Sequence, residues 1–277
     1  SPDLIGPSLC ESFNIPYITA EASYSNRRKQ GIWGPMQEQV LSAINLAAVN
    51  ICFTKRDRLG LRAASQMARL ACLPPFIDTT AFVGHPRSPE SSHLVTVAMM
   101  RPGDKMQSYV RLASSLRLLA HLPWTLSVVG DGPLRGDVHA LFKNFPAERI
   151  QWHGQKSRAE IAALFTKCSL FVWPGCGEAY GLAYLEAQSS GLPVVAYNTA
   201  GVPEVVEHEQ SGILVPEGDD KAFAAAIEYL LINERLRTNM ASYAASSVQR
   251  EHTGELASAR LDKILQRHIS SLGIGSP

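Results

Sequence analysis

The sequence predicts an α/β protein whose larger region is a doubly wound parallel sheet, preceded by a region with too few strands to form such a domain by itself. Three observations carry that reading. From Leu94 to Val215, short β-branched runs alternate with amphipathic helical stretches, the pattern of a parallel sheet with helices on both faces. The first 80 residues hold only three strand-like runs. Between these regions Pro74-Pro75 to Pro89-Glu90, rich in proline and serine, reads as an interdomain linker.

Taken in order, Tyr17–Ala20, Asn50–Thr54 and Ala68–Leu73 read as strands, with a helix from about Met36 to Ala48. Leu94–Ala98 reads as a buried strand. Met106, Tyr109, Val110, Ala113 and Leu116 then mark one helix face. Thr125–Val129 is the next strand, closed by Gly130-Asp131-Gly132-Pro133 and followed by a helix to about Phe142. Ile150–His153 and Leu170–Trp173 are strands flanking a helix over Arg158–Thr166. A further helix over Gly181–Ser190 leads to a strand at Val194–Ala196. Asp219 or Asp220 can cap a helix that buries Phe223, Ile227, Leu230 and Leu231. Helices near Asn233–Gln249 and Thr253–Ser271 and a tail over Gly273–Pro277 complete the chain. The implied division is 1–85, 86–250 and 251–277.

Composition excludes several classes. With 277 residues, 45% hydrophobic, 18% charged and a formal charge of +1, the chain has the make-up of a globular protein with no global field for nucleic acid or anionic lipid. The run Arg27-Arg28-Lys29 reads as a solvated loop. Five scattered cysteines without C-x-x-C spacing fit a reducing cytoplasm rather than a disulfide framework or a zinc site. No apolar run reaches the ~18 residues of a membrane span. The chain opens on Ser1, not Met, and the expectation is that a segment lies upstream.

Ligands of open parallel sheets bind beyond the carboxyl ends of the strands. After the first strand of the second region come Arg101 and Lys105. After the second comes Gly130-Asp131-Gly132-Pro133. After the fourth comes Gly175-Cys176-Gly177-Glu178-Ala179-Tyr180-Gly181-Leu182, running into a helix that carries Glu186. Two cations, a glycine turn and a glycine-flanked helix start suit a diphosphate: Arg101 can fork onto phosphate oxygens, Lys105 adds a point charge, and backbone N–H groups at Gly181 and Leu182 add a helix dipole.

The segment from Gly175 to Ala187, followed by Gly191-Leu192-Pro193-Val194-Val195-Ala196, resembles the E-x7-E signature of the family-four retaining glycosyltransferases of GT-B fold. Val128–Pro133, Gly201-Val202-Pro203-Glu204-Val205-Val206 and Ser211–Pro216 match the same family in order and spacing. Leu73-Pro74-Pro75-Phe76-Ile77-Asp78 is similar to its linker. The resemblance implies two Rossmann-like domains, the N-terminal one truncated here, in a cytoplasmic bacterial enzyme. Its donor would be a UDP-, GDP- or ADP-sugar, with no further cofactor and no metal, and its acceptor a sugar or lipid-linked hydroxyl. Peripheral membrane association would come through the segment upstream.

By the same resemblance Arg101 and Lys105 would bind the diphosphate and Glu178 the hydroxyls of the transferred sugar. Tyr180, Gly181 and Leu182 would offer main-chain contacts, and Glu186 would hold the ribose. Gly130 and Gly132 would lie against the donor, and the turn after Gly154 near the base. No D-x-D motif occurs, and the eight histidines show no paired ligand spacing. The family often places a catalytic-site histidine after the strand matched by Pro16-Tyr17-Ile18-Thr19; this chain reads Ala20-Glu21-Ala22-Ser23. Glu21 is therefore either an acceptor-side polar group or a salt-bridged surface residue.

A hydrolase would need Glu178 and Glu186 to flank a scissile bond at ~5–9.5 Å, whereas a carboxylate before a helix and another inside it lie on one side of a ligand. A nicotinamide dehydrogenase would need a G-x-G-x-x-G turn after the first strand and an acidic residue closing the second, and this chain has neither. A non-catalytic nucleotide-sugar binder, or an inactive fragment, would carry the same donor residues and stays open.

Overall fold

In the computed structural model residues 3, 5–24 and 34–269 are described. The basic run at 27–29 and the tail at 273–277 lie outside them. The chain forms two compact units, residues 1–75 with 255–277 and residues 76–254. Each is considered by itself.

Unit 1 holds a three-stranded parallel sheet of β1 (Ile18–Ala20), β2 (Val49–Cys52) and β3 (Leu70–Cys72), in that spatial order. Its helices are α1 (Gly6–Ser12), α2 (Gly34–Leu46), α3 (Lys55–Ala64) and, from the far end of the chain, α10 (Gly254–Ile269). The central strand is buried along its whole length, and its residues alternate between faces. Val49 and Ile51 pack with Ala257, Leu261 and Ile264 of α10. Cys52 packs with Ile44 of α2 and Leu61 of α3. Asn50, fully buried, is satisfied on every side: its amide donates to the Ile44 and Arg69 carbonyls at 3.0 and 3.1 Å, and its oxygen accepts from Thr19 at 2.7 Å. The sequence reading found the three strands and α2. It missed α1 and α3, although Thr54 caps α3 by accepting from the Asp57 N–H.

Two boundaries differ from expectation. The division falls at Pro75/Phe76 rather than near residue 85 because Phe82 is buried in the core of unit 2 and Ile77 pairs with Thr253. The last helix belongs to unit 1 instead of standing apart over 251–277, because it covers one face of the short sheet.

Unit 2 contains β4 (His93–Val97), β5 (Thr125–Val129), β6 (Ile150–Gly154), β7 (Leu170–Val172), β8 (Val194–Tyr197) and β9 (Gly212–Val215). They form one parallel sheet in the order β6-β5-β4-β7-β8-β9. The chain winds outward one way from β4 to β6 and the other way from β7 to β9, so the topological switch point lies between β4 and β7. Around the sheet lie α4 (Asp104–Leu118), α5 (Arg135–Phe142), α6 (Arg158–Phe165), α7 (Leu182–Ser189), α8 (Asp220–Ile232) and α9 (Glu234–Glu251). Helix starts follow local chemistry: Ser157 and Glu160 form a reciprocal capping box on α6, and the Asp219 carboxylate accepts from the Ala222 N–H at 2.9 Å on α8.

In α4 the expected apolar face is off by one position. Val110 is 39% exposed, whereas Leu112 is fully buried beside Tyr109, Ala113 and Leu116. A 3.6-residue repeat lets 112 and 113 share the inward stripe, and tertiary packing selects between 110 and 112. The motif segment Ser211–Pro216 contains the edge strand β9, beyond the strands that its sequence pattern predicts. Among the described residues no helix is long and apolar enough to cross a membrane.

Candidate functional site

The site forms where topology says it should, beyond the carboxyl ends of β4 and β7. Lys105 stands in the first turn of α4, after a Gly103 held at φ 83°. Its ammonium donates to the Glu178 carboxylate, both side chains being mostly buried. The same nitrogen sits 5.8 Å from the centroid of the Trp173 ring, which follows β7. Trp173 is in turn fixed edge-on against Tyr109 at 4.9 Å.

The loop after β7 takes its shape from glycines. Gly175, Gly177 and Gly181 all have positive φ. A Cβ on Gly181 would meet the Tyr184 ring at 2.5 Å, and one on Gly177 would meet the Asp104 carboxylate at 2.3 Å. Gly181 is the N-cap of α7 and no side chain caps the helix. The first-turn N–H groups of Leu182 and Ala183 therefore have no preceding carbonyl and present the positive end of the helix dipole. They line a cavity of about 350 Å³ together with Val97, Lys105, Trp173, Glu178 and Tyr180. A neighbouring cavity of about 650 Å³ shares Val97 and Lys105 and extends past Ala98, Gly130, Asp131 and Gly132 to Gln155 and Lys156. A trough lined by a lysine, a helix start and glycine backbone is suited to a long anionic ligand.

The family model for "Glycosyl transferases group 1" matches residues 86–247. The chain belongs to that family. It is similar to the N-acetyl-alpha-D-glucosaminyl L-malate synthase of Bacillus anthracis, 29% identical over 163 residues, covering 58% of this chain and 42% of that protein. It is also similar to the D-inositol 3-phosphate glycosyltransferase of Mycobacterium marinum, 28% identical over 209 residues, 70% of this chain and 44% of that one. The chain thus spans less than half the length of these curated relatives. In fold it is similar to a sucrose-phosphate synthase from Thermosynechococcus elongatus (TM-score 0.78, 20% identity, 95% of this chain and 70% of that one). It is also similar to Anabaena HepE, whose structure was solved in complex with UDP and glucose (TM-score 0.71, 18% identity, 94% and 74%). The architecture is the α/β, parallel-sheet GT-B kind.

Within this group 1 domain the expected residues separate. Lys105, Glu178, Tyr180, Gly181 and Leu182 converge on one cavity. Arg101 does not join them: it is exposed, pairs with no carboxylate among the described residues and lines neither cavity. Gly130 and Gly132 line the larger cavity, but their geometry explains them first as backbone spacers. A Cβ on Gly130 would lie 1.9 Å from the Ala98 carbonyl oxygen, and one on Gly132 would lie 2.4 Å from that of Met100. The Gly130 N–H donates to the Gly154 carbonyl at 2.8 Å and the Gly132 N–H to the Asp131 carboxylate at 2.8 Å. Gly154, at φ 63°, ends β6 at the turn that carries Gln155 and Lys156.

Glu186 lies one turn into α7 and is mostly buried. Burial raises its carboxyl above the usual range, and Arg158, at 3.6 Å, offsets part of that rise. The Arg158 guanidinium also bonds Asp78 and lies 5.2 Å from the Phe82 ring centroid, so Glu186 is joined through it to the segment that opens unit 2. Glu21 belongs to unit 1. It follows β1 at φ 55° and lines a cavity of about 190 Å³ with Tyr17, Thr19 and Gln37.

Sequence reasoning missed Trp173, Lys156 and Arg158. Lys156 follows a strand end just as Lys105 does, so the same rule applied to β6 would have found it. Trp173 follows the β7 apolar run, whose pattern marks it only as a strand residue. Arg158 had no local signal beyond its place at a helix start. Among the described residues no three His, Cys, Asp or Glu side chains gather as metal ligands.

Proposed function

We propose that this chain binds a nucleoside diphosphate sugar and takes part in transfer of the sugar, with retention of configuration and without a metal, to a hydroxyl of a sugar or lipid-linked acceptor. The observation that carries the reading is the convergence of Lys105 and Glu178 at the β4/β7 switch point, over the uncapped start of α7. Before donor arrives the two side chains neutralise each other. A diphosphate would draw the Lys105 ammonium toward its oxygens, freeing the Glu178 carboxylate to accept hydrogen bonds from sugar hydroxyls. Exposed Arg101 would close onto the outer phosphate oxygens.

In the reaction the bond from the anomeric carbon to the phosphate oxygen breaks as a bond to the acceptor oxygen forms on the same face. The acceptor proton passes to the departing phosphate. Fixed positive charge and the helix dipole stabilise that leaving group, and no protein nucleophile is needed. Glu186, held by Arg158, would accept from the ribose hydroxyls, and Gln155 and Lys156 would lie near the base. The absence of a D-x-D sequence supports metal independence, and scattered cysteines without paired spacing support a cytoplasmic location.

Calorimetric titration with UDP, GDP and ADP tests the reading. One of the three should bind. Lys105→Ala and Glu186→Ala should each weaken it by about 10–100-fold, as expected for a lost charge-assisted contact of ~1.5–3 kcal/mol. Glu178→Ala should leave nucleotide affinity within about threefold while abolishing transfer, and EDTA should not slow transfer. Equal loss of nucleotide from the Glu178 and Glu186 variants would overturn the division of roles. Nucleotide binding with no transfer to any acceptor would favour a donor-binding protein without catalysis.

A further inference from the structure

Unit 2 carries another cavity, of about 630 Å³, at the opposite end of its sheet. Ser169 enters β7 there and Gly191 leads toward β8, so the cavity opens at the amino ends of the strands, whereas Lys105 and Glu178 lie beyond their carboxyl ends. Its size falls in the ~300–1,000 Å³ range of small-molecule sites.

Two arginines, Arg87 and Arg237, line this space. Arg87 donates to the Gly191 and Cys168 carbonyls, and its Nε is buried without a partner. Arg237 donates to the Leu230 and Leu231 carbonyls at 2.8 and 3.0 Å, at the end of α8. Neither pairs with a carboxylate among the described residues. Burial holds the Arg87 guanidinium below its usual pKa, and the nearby Arg237 charge acts the same way. Ser189, only 6% exposed, also lines the cavity, and its hydroxyl has no partner. Buried cationic charge without a counter-charge is costly. The wall holds a single carboxylate, Glu234, exposed at the start of α9. Along the rest of α9, Thr238, Ser242 and Ser246 recur at every fourth residue and give the cavity a hydroxyl-bearing side.

We propose that this cavity binds a small soluble molecule carrying a phosphate on a hydroxylated body, with the phosphate toward Arg87 and Arg237 and the hydroxyls toward the Thr238–Ser242–Ser246 face. Its position makes it separate from the donor trough. Helix α7 runs between them, from Leu182 in the trough to Ser189 in this cavity.

The test is calorimetry on the whole chain with glycerol 3-phosphate, inorganic phosphate and glycerol as probes, in saturating UDP. Glycerol 3-phosphate should bind about tenfold more tightly than either part alone, with UDP present or absent. Ser242→Glu, which places a carboxylate in the cavity from an exposed position, should weaken that binding by about tenfold or more, whereas Ser242→Ala should change it by less than about threefold. Thr238→Glu is an independent second variant with the same expected loss, and thermal unfolding confirms that each variant folds. No binding of glycerol 3-phosphate, binding displaced by UDP, or binding untouched by both glutamate variants would overturn the proposal.

Discussion

The two units use the same parallel-strand grammar to different depths. In unit 2 a single core runs through six strands, and β7 and β8 are buried at every residue. In unit 1 the buried hydrophobic residues among those described divide into three small clusters, and of its described strands only β2 is buried throughout. Strands covered on both faces become continuous apolar runs, whereas short flanking strands such as β1 and β3 keep partly exposed residues. The candidate cleft of unit 2 stands where its backbone is tightly constrained. Gly130, Gly175 and Gly181 all stand in unit 2 at positions where a side chain would strike a neighbour.

The largest expected effect breaks that constraint. Gly130→Ala puts a methyl group 1.9 Å from the Ala98 carbonyl oxygen at φ 142°, and should cost roughly 3–5 kcal/mol, as strained and overpacked sites do. Urea unfolding measures the loss, and a change below about 1 kcal/mol would show that the β4–β5 loops can spread without penalty.

A smaller effect comes from pH. Burial lowers the pKa of His93 and His153 below the ordinary 6.5, and both rings bond the buried Ser127 hydroxyl at 2.9 Å. Below about pH 6.5 the unfolded chain takes up protons that the folded histidines refuse. The stability present above that pH is therefore lost as pH falls toward the folded values. Hydrogen exchange at pH 7.5 and 5.5, corrected for intrinsic rates, should show reduced protection of β4–β6 at the lower pH. In His93→Gln the dependence should be shallower, and an unchanged slope would remove His93 from the account.

The smallest effect has the opposite sign and lies in unit 1. Gly60, in the exposed middle of α3, has nothing within 4 Å of an added Cβ. Gly60→Ala should stabilise by about 0.5–1 kcal/mol through helix propensity alone. A loss on thermal unfolding would show that α3 depends on backbone freedom there, as the unit 2 glycine loops do.

Much of unit 2 was legible because the signals were local. Thr125–Val129 is a strand at the residues its β-branched run marks, and the Ser157 and Asp219 caps bound their helices. The site was legible in part: the rule of carboxyl strand ends led to Lys105, Glu178 and the Gly181 helix start, which share one cavity. Arg101 follows the same strand but projects into solvent, because four residues along a loop and helix start change direction in a way that spacing alone does not fix. Trp173 and Arg158 carried no separate sequence signal, since each acts through a contact with a residue distant in the chain.

By itself the sequence determined the strand–helix alternation, the glycine positions and the identity of the group 1 domain, all of which depend on neighbouring residues and fixed spacings. Tertiary structure alone decided the rest. It placed α10 on the sheet of unit 1, buried Leu112 in place of Val110, paired Lys105 with Glu178, and set Arg87 and Arg237 around one cavity. Each of these joins residues far apart in the chain or chooses between equivalent helix faces. Periodicity is silent on such choices, and the packing of one core settles them.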